Sequence, residues 1–154
     1  GHAPVYTKKY SSGYTAGGAY GLVDGKFGSK NYQDGNWQGF SGQDLTAVID
    51  LDSVQPIRKV TLGGLQDISA WIFMPLKVEV EGSTDGVNYT AVGSVDNTVD
   101  EHEKGGIRKD FIVEFPSENF RYIRVKATNR KACPEWHNGK GRAAYIFVDE
   151  IAVE

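Results

Sequence analysis

The feature that most constrains this chain is a two-residue alternation of apolar and polar side chains, which recurs in short runs between turn residues. Successive side chains of a β-strand point to opposite faces, so each run predicts a strand with one buried face. No segment keeps a helical period over ten residues. The runs are Leu45–Leu51, Ile57–Leu62, Leu76–Val80, Phe111–Phe115, Phe120–Ala127 and Ala144–Val153. We therefore predict an all-β protein of about eight strands, packed as an antiparallel β-sandwich or jelly roll.

Turn residues set the predicted limits of these strands. Asp85-Gly86 predicts a hairpin turn, with Val87–Val92 as the returning strand. Pro116 predicts the end of the strand before it, because proline cannot donate to a β-ladder. Polar stretches that contain glycine predict loops over residues 96–106 and 128–142.

Composition bounds the class of protein. A length of 154 residues without a linker predicts one domain over residues 1–154. The formal net charge of −3 lacks the surplus of Lys and Arg that binding to nucleic acid requires. Four basic residues remain close in sequence and indicate either solvated loop charges or a small basic patch: Arg130, Lys131, Lys140 and Arg142.

Signals for processing and compartment are few. Cys133 is the one cysteine, so no intrachain disulfide is expected. No apolar run is long enough to predict a membrane-spanning helix. The first residues do not have the basic start and apolar core of a signal peptide, and we interpret Gly1-His2 as a remnant of cloning.

No pattern in the chain predicts catalysis. Cys133 and His137 lie four residues apart, but nothing marks a third group to orient them, and we expect Cys133 to be a small buried residue. Asp149 and Glu150 are neighbours on a strand and would point to opposite faces, so they would not flank one glycosidic bond. Because histidine pairs with zinc-site spacing are also missing, we expect no enzyme activity.

Aromatic residues in three predicted loops, 31–40, 65–73 and 129–145, indicate sugar binding. The C–H face of a sugar stacks on an aromatic plane, while its hydroxyls need charged or amide partners on rigid loops. The candidate ligand-binding residues are Trp136, His137, Asn138, Lys140, Trp71, Asp67, Gln66 and Trp37. For each tryptophan and for His137 the alternative is a structural or plain surface role, and for Trp37 the structural role is favoured.

Several stretches, taken together and in order, resemble one family. They are Leu22–Gly25 with Ser29 and Trp37, then Thr46–Leu51, Trp71-Ile72, Lys77–Tyr89, Arg121–Val125 and Val148–Ile151. The Ser83-Thr84-Asp85-Gly86 turn followed by Tyr89 is similar to the family's Ser-x-Asp-Gly-x-x-aromatic signature. On these residues the chain resembles the coagulation factor 5/8 type C (discoidin-like) domain. It looks most like the family 32 carbohydrate-binding modules appended to bacterial glycoside hydrolases such as β-hexosaminidase (chitobiase).

The resemblance implies a galactose-binding-domain-like jelly roll with a structural calcium ion. Asp24, Gly25 and Ser29 supply a carboxylate, a sharp turn and a hydroxyl, which suit the oxygen ligands that Ca²⁺ takes. The resemblance adds the late glutamate Glu150, with backbone carbonyls near Gly21 and Lys26 completing the shell. The alternative is a plain Asp-Gly turn without metal.

The implied function is non-catalytic binding of galactose- or N-acetylhexosamine-containing glycans. Such a module would be a monomer that holds a glycoside hydrolase domain of the same parent chain near its substrate, outside the cell, at its surface or in the periplasm. The alternatives are a protein- or lipid-binding adhesion module and a structural spacer. A lipid-binding module needs protruding apolar loop tips, for which Ile72-Phe73-Met74 is the candidate, although Pro75 and the adjoining strand favour packing.

Overall fold

A computed structural model describes all residues, 1–154, and confirms the all-β fold. Its seven antiparallel strands are β1 (Val5–Tyr6), β2 (Gln38–Ser41), β3 (Leu45–Gln66), β4 (Lys77–Ser83), β5 (Thr90–Asp96), β6 (Ile107–Ala127) and β7 (Tyr145–Val153). A single 3₁₀ turn, Ile68–Ala70, is the only helical segment. No helix in the chain is long and apolar enough to cross a membrane.

Two long strands, β3 and β6, build the sandwich by passing through both of its layers. The first part of β3, up to Asp50, pairs with residues 122–127 of β6, and the part from Lys59 onward pairs with residues 107–114. Between these parts the register shifts, and Asp52 takes a left-handed backbone with φ of 71°. The bend allows one continuous sheet, in the order β2-β7-β3-β6-β4-β5, to fold back on itself.

The core lies between the two layers. One layer contributes Ile49, Val80 and Ile123, and the other contributes residues such as Leu62 and Phe111, all at most 5% exposed. These side chains come from the alternating apolar positions, because a pleated strand directs every second residue inward. The period-two pattern thus correctly predicted the buried strand faces, except at Leu76, which lies before β4 and is 49% exposed.

The strand limits differ from the sequence prediction in several places. Pro116 lies inside β6, because the register shift opposite Arg58 leaves it outside the regular ladder, where its missing N–H costs little. The returning strand of the hairpin begins at Thr90 rather than Val87, because Asp85 Oδ1 accepts the N–H groups of Val87 and Asn88 and lengthens the turn. Two pairs of neighbouring runs join across the bend into β3 and β6, and the short strands β1 and β2 were not predicted, so the total is seven strands.

Four connections meet at one end of the sandwich, and we call them the apical loops: residues 42–44, 67–76, 97–106 and 128–144. They meet because the bends return both ends of β3 and of β6 to the same side. Asn129, 1% exposed, ties three segments together by donating from its side-chain amide to the carbonyls of Phe40, Gln43 and Ala144. The predicted loops over 96–106 and 128–142 are therefore real and rigidly held.

Candidate functional site

Trp136 is exposed on the longest apical loop, as a ligand-binding residue must be. Trp136 is 41% exposed, and its indole N–H donates to Glu101 Oε1 at 3.1 Å. One ring face stacks on His102, with centroids 4.3 Å apart and planes 27° from parallel. The indole is therefore held in a fixed orientation by residues of the neighbouring loop.

His137 and Gln66, both predicted to contact ligand, are buried and hydrogen-bonded within the protein. His137 is 7% exposed; its Nε2 lies 2.6 Å from the Ile68 carbonyl, and Gly139 N–H donates to its Nδ1. These contacts require the neutral tautomer with the proton on Nε2. Gln66 is 1% exposed and its amide donates to the carbonyls of Asp100 and Glu103. Both polar groups are already satisfied within the protein, so neither needs a ligand as its hydrogen-bond partner, and a ligand role for them stays a prediction.

Trp37 is also a structural residue. It is 1% exposed, packs with Leu65, Ile72 and Phe147, and donates its indole N–H to the Ser29 carbonyl at 3.0 Å. Its ring plane is covered, so it cannot stack on a sugar. This packing agrees with the structural role that the sequence favoured, and a ligand role for Trp37 stays a prediction.

The remaining predicted residues lie on the apical loops with different degrees of exposure. Trp71 is half-buried and has a left-handed φ of 66°, with its ring so close to Gly139 that a Cβ there would lie 2.8 Å away. Asp67 is half-buried and accepts the Ser69 hydroxyl. Asn138 and Lys140 are exposed, and Lys140 forms an ion pair with Glu135 at 2.8 Å. A ligand role for these four stays a prediction.

The apolar loop Ile72-Phe73-Met74 is packed into the protein. The three residues are 1%, 2% and 2% exposed. The loop therefore has no protruding apolar tip of the kind that docks on a membrane.

A cleft lined by tyrosines, which the sequence did not single out, lies beside the apical loops. It encloses about 490 Å³, and its walls come from residues 11–16, residues 32–37 and the first residue of β7. The Tyr14 ring lies 6.3 Å from Tyr32 and 5.7 Å from Tyr145, both in edge-to-face geometry. We call this the tyrosine cleft; the tyrosine-rich opening segment was the signal for it, but Tyr145 joins only through β7.

The hydroxyls of the tyrosine cleft are free to meet a ligand. The Tyr6 hydroxyl donates to Gln38 at 2.9 Å, whereas those of Tyr14, Tyr32 and Tyr145 are not used in hydrogen bonds within the protein. Burial is the main cause that raises the pKa of Tyr14, and the neighbouring phenols of Tyr32 and Tyr145 raise it by a smaller amount. The Tyr14 phenol therefore stays a neutral hydrogen-bond donor at physiological pH. Polar side chains also line the walls, at Ser11, Thr15 and Gln33.

Glu150 of β7 and Asp24 of the opening segment, both predicted metal ligands, lie close enough for the charge of Asp24 to act on Glu150. Glu150 is 6% exposed and its Oε1 has no hydrogen-bond partner. Burial, and to a smaller extent the charges of Asp24 and Asp149, raise the pKa of Glu150 to about 7, although backbone N–H groups of Gly25 and Asp24 act against this shift. An unsatisfied carboxylate beside a second one creates a site where a cation would be stabilised.

Of the other predicted metal ligands, the Ser29 hydroxyl is engaged in local structure, whereas the backbone carbonyls of Gly21 and Lys26 accept no hydrogen bond within the protein. The Ser29 hydroxyl donates to Asp34 Oδ2 at 2.7 Å. This hydrogen bond holds the hydroxyl in a local turn and not beside Asp24. The Lys26 N–H donates to Asp24 Oδ1 at 2.9 Å. Gly21 is buried so tightly that a Cβ would lie 2.6 Å from the Ala16 carbonyl oxygen. Asp24 and Glu150 are thus the predicted carboxylate ligands, and the Asp149 carboxylate lies close to them with its Oδ1 also buried and unpartnered.

Two further groups considered for catalysis have structural surroundings. Cys133 is 4% exposed as expected, and burial raises the pKa of its thiol, which opposes formation of a nucleophilic thiolate. Asp149 is fully buried; its Oδ2 accepts from Arg108 Nε at 2.9 Å and from the Gly28 N–H at 2.8 Å. Asp149 and Glu150 thus have separate partners.

Known proteins share this architecture. The family model of the F5/8 type C domain matches residues 6–147. Module CBM32-3 from a family 31 glycoside hydrolase of Clostridium perfringens superposes with a TM-score of 0.61 at 16% identity, covering 99% of this chain and 88% of that one. The lectin domain of lectinolysin, solved with the Lewis B antigen, gives a TM-score of 0.61 at 16% identity, with coverages of 100% and 92%.

A third solved structure is similar to the same degree. It is a Clostridium perfringens module, CpGH89CBM32-5, in complex with GalNAc-β-1,3-galactose, with a TM-score of 0.57 at 17% identity and coverages of 97% and 92%. No curated protein sequence gives a significant match. At such identities the superpositions show a shared fold, while the family model spans most of the sequence. The chain belongs to the F5/8 type C domain family.

Proposed function

We propose that this chain is a non-catalytic carbohydrate-binding module whose ligand occupies the tyrosine cleft. The observation that carries the proposal is the convergence of Tyr14, Tyr32 and Tyr145 on one cleft with free hydroxyls. Aromatic rings supply the surface on which the C–H face of a sugar packs, and phenols supply donors for its hydroxyls. The volume of about 490 Å³ is within the ordinary range for small-ligand sites.

The proposed ligand is a terminal galactose or N-acetylhexosamine of a larger glycan. Family membership and the complex of a similarly folded module with GalNAc-β-1,3-galactose support this choice. The polar wall residues Ser11, Thr15 and Gln33 would bind the equatorial hydroxyls or the acetamido group. We further propose that the module works outside the cell, tethering a glycoside hydrolase of the same parent chain and so raising its effective concentration at the substrate.

A structural Ca²⁺ ion beside Glu150 is part of the proposal. The buried Glu150 Oε1 without a partner, and the nearby Asp24 carboxylate, support a cation here. Asp24, Glu150 and backbone carbonyls of residues 21–26 would hold the ion, and the Ser29 hydroxyl would join only by releasing Asp34. When bound, Ca²⁺ would neutralise the two carboxylates and fix the loop against β7.

The test is isothermal titration of the protein with N-acetyllactosamine and with di-N-acetylchitobiose, in wild type and in the double variant Tyr32→Phe/Tyr145→Phe. The rings and their packing remain, but two donors are lost. At about 0.5–1.5 kcal/mol per hydrogen bond, we expect Kd to rise roughly 5- to 150-fold.

The matched control is Tyr20→Phe, which removes the hydroxyl of an exposed tyrosine outside the cleft and should leave Kd unchanged. Binding that is the same in the double variant and in wild type would rule out the tyrosine cleft as the site. If folded wild-type protein binds neither sugar, a glycan array decides whether any glycan is a ligand, and an empty array would leave the adhesion or spacer role.

A further inference from the structure

The apical loop 97–106 is clamped to the loop 128–144 by charged and polar contacts. Glu101 joins them, accepting the Trp136 indole N–H with one carboxylate oxygen and forming an ion pair with Arg130 through the other. Arg130 in turn lies over the Phe73 ring, 5.2 Å from its centroid. The buried Gln66 amide fixes the same loop from below. The surface that these loops present is therefore preorganised, which lowers the entropic cost of binding.

The clamp presents two stacked rings to solvent. Trp136 is 41% exposed and the His102 side chain 61% exposed, with ring centroids 4.3 Å apart and planes 27° from parallel. The contacts of Glu101 fix the indole edge, and because each ring covers one face of the other, a ligand would stack on a ring face turned away from the pair. We call the pair the Trp136–His102 platform. A flat aromatic surface held open in this way is suited to stack on the C–H face of a pyranose ring.

A polar groove adjoins the platform. It encloses about 420 Å³ between Ile68-Ser69, Lys104-Gly105 and His137-Asn138. The His137 ring, which forms part of its wall, lies 5.7 Å from Trp136. The side chains of Lys104 and Asn138 are exposed and make no ion pair or hydrogen bond within the protein, so they can donate to a ligand.

The chemistry favours a saccharide over a protein partner. A stable protein interface needs a central apolar patch. Here only the rings of Trp136 and His102 are exposed, and their neighbours are charged or polar. Stacking rings next to donors that lack internal partners match the alternating apolar and hydroxyl surfaces of a sugar.

We infer that the Trp136–His102 platform and its groove form a second saccharide-binding site, distinct from the tyrosine cleft. The two sites share no lining residue. The half-buried Trp71 lies between them: its ring contacts His137, and its backbone carbonyl accepts the Tyr145 N–H. This inference rests on the proposed saccharide-binding function and extends it to two sites in one domain. Two sites would bind a branched or multivalent glycan more tightly than either alone.

The test uses ¹⁹F NMR of the protein labelled with 5-fluorotryptophan, titrated with tetra-N-acetylchitotetraose and with lacto-N-tetraose. Trp37 lines the tyrosine cleft and Trp136 forms the platform, so each reports one site. We expect the Trp136 resonance to shift with the same Kd in wild type and in Tyr32→Phe/Tyr145→Phe. His102→Ala should weaken the Trp136 response about 2- to 10-fold, the loss of a stacking partner, without changing the Trp37 response.

His2→Ala is the matched control. It removes another exposed histidine, which pairs with Asp50 and Asp52 at the bend of β3 and not with the apical loops. If the Trp136 shift disappears in the double variant of the tyrosine cleft, the sugar binds only in that cleft and Trp136 senses it indirectly. That result overturns the inference. A Trp136 resonance that stays still while Trp37 shifts also overturns it and leaves the proposed function intact. If neither resonance moves with any sugar, the proposed function fails as well.

Discussion

Glu150 is a buried residue whose charge state depends on its surroundings. Its pKa is raised from 4.5 to about 7 in the folded protein, so ionisation is disfavoured by folding, and stability without metal falls as pH rises through this window. A bound Ca²⁺ would offset that loss. We expect Ca²⁺ to raise Tm more at pH 8 than at pH 5, measured by thermal unfolding with and without chelator.

Glu150→Gln removes the titrating group, so its Tm should vary less between pH 5 and pH 8 and should not respond to Ca²⁺. Glu118→Gln, at an exposed position on the bend, is the control and should behave as wild type. An equal response to Ca²⁺ in wild type and Glu150→Gln would exclude this carboxylate as a ligand.

Gly28 is required because of the tryptophan beside it. A Cβ at this position would lie 2.1 Å from Trp37 Cε2, and the rigid indole is buried with no room to move. We expect Gly28→Ala to lower the free energy of unfolding by about 1–3 kcal/mol or more, the usual cost of overpacking. Urea denaturation measures it.

Gly13→Ala is the matched control, because a Cβ there meets no atom within 4 Å. Its effect should stay within about 0.5 kcal/mol. If both variants were equally stable, the packing of Trp37 against residue 28 would be looser than described.

At the scale of the elements, one buried side chain holds an apical loop on the sandwich. Gln66, the last residue of β3, donates to two carbonyls of the loop 97–106. Gln66→Leu keeps the volume but leaves these carbonyls without their donor, a cost of about 1–3 kcal/mol. We expect the loop to exchange its amide hydrogens faster, measured by hydrogen exchange, and saccharide binding at the Trp136–His102 platform to weaken with it.

Gln43→Leu provides the comparison, since the Gln43 amide donates to Lys9 O at the other side of the apical end. It should leave exchange in residues 97–106 unchanged. Unaltered protection of that loop in Gln66→Leu would show that the Glu101 contacts alone are enough to hold it.

At the scale of the whole molecule, the two layers should unfold together because β3 and β6 run through both. Val80 is buried in one layer and Ile151 in the other. We expect Val80→Ala and Ile151→Ala to destabilise by about 1–5 kcal/mol each, with far-UV circular dichroism and tryptophan fluorescence giving coincident transitions. Val87→Ala, 78% exposed on the hairpin, should change little. Separate transitions in either core variant would mean that the layers are independent.

The fold class and the buried strand faces could be read from the sequence, because alternation is a local consequence of the pleat. Val78 and Val80 point inward wherever β4 is placed. Strand limits were less certain, since Pro116 is accommodated by a register shift that depends on the partner strand. Of the candidate site residues, the exposure of Trp136 agrees with the prediction, while His137, Gln66 and Trp37 proved to be buried.

The sequence by itself therefore determined an all-β sandwich, its core positions and the resemblance to its family. Only the tertiary structure decided which aromatic residues face solvent and which of them meet. Tyr14, Tyr32 and Tyr145 form one cleft because β2 pairs with β7 and brings the opening segment alongside. Trp136 meets His102 because two loops from different strand pairs return to the same end. Such meetings depend on pairings between residues distant in the chain, and a local pattern carries no information about them.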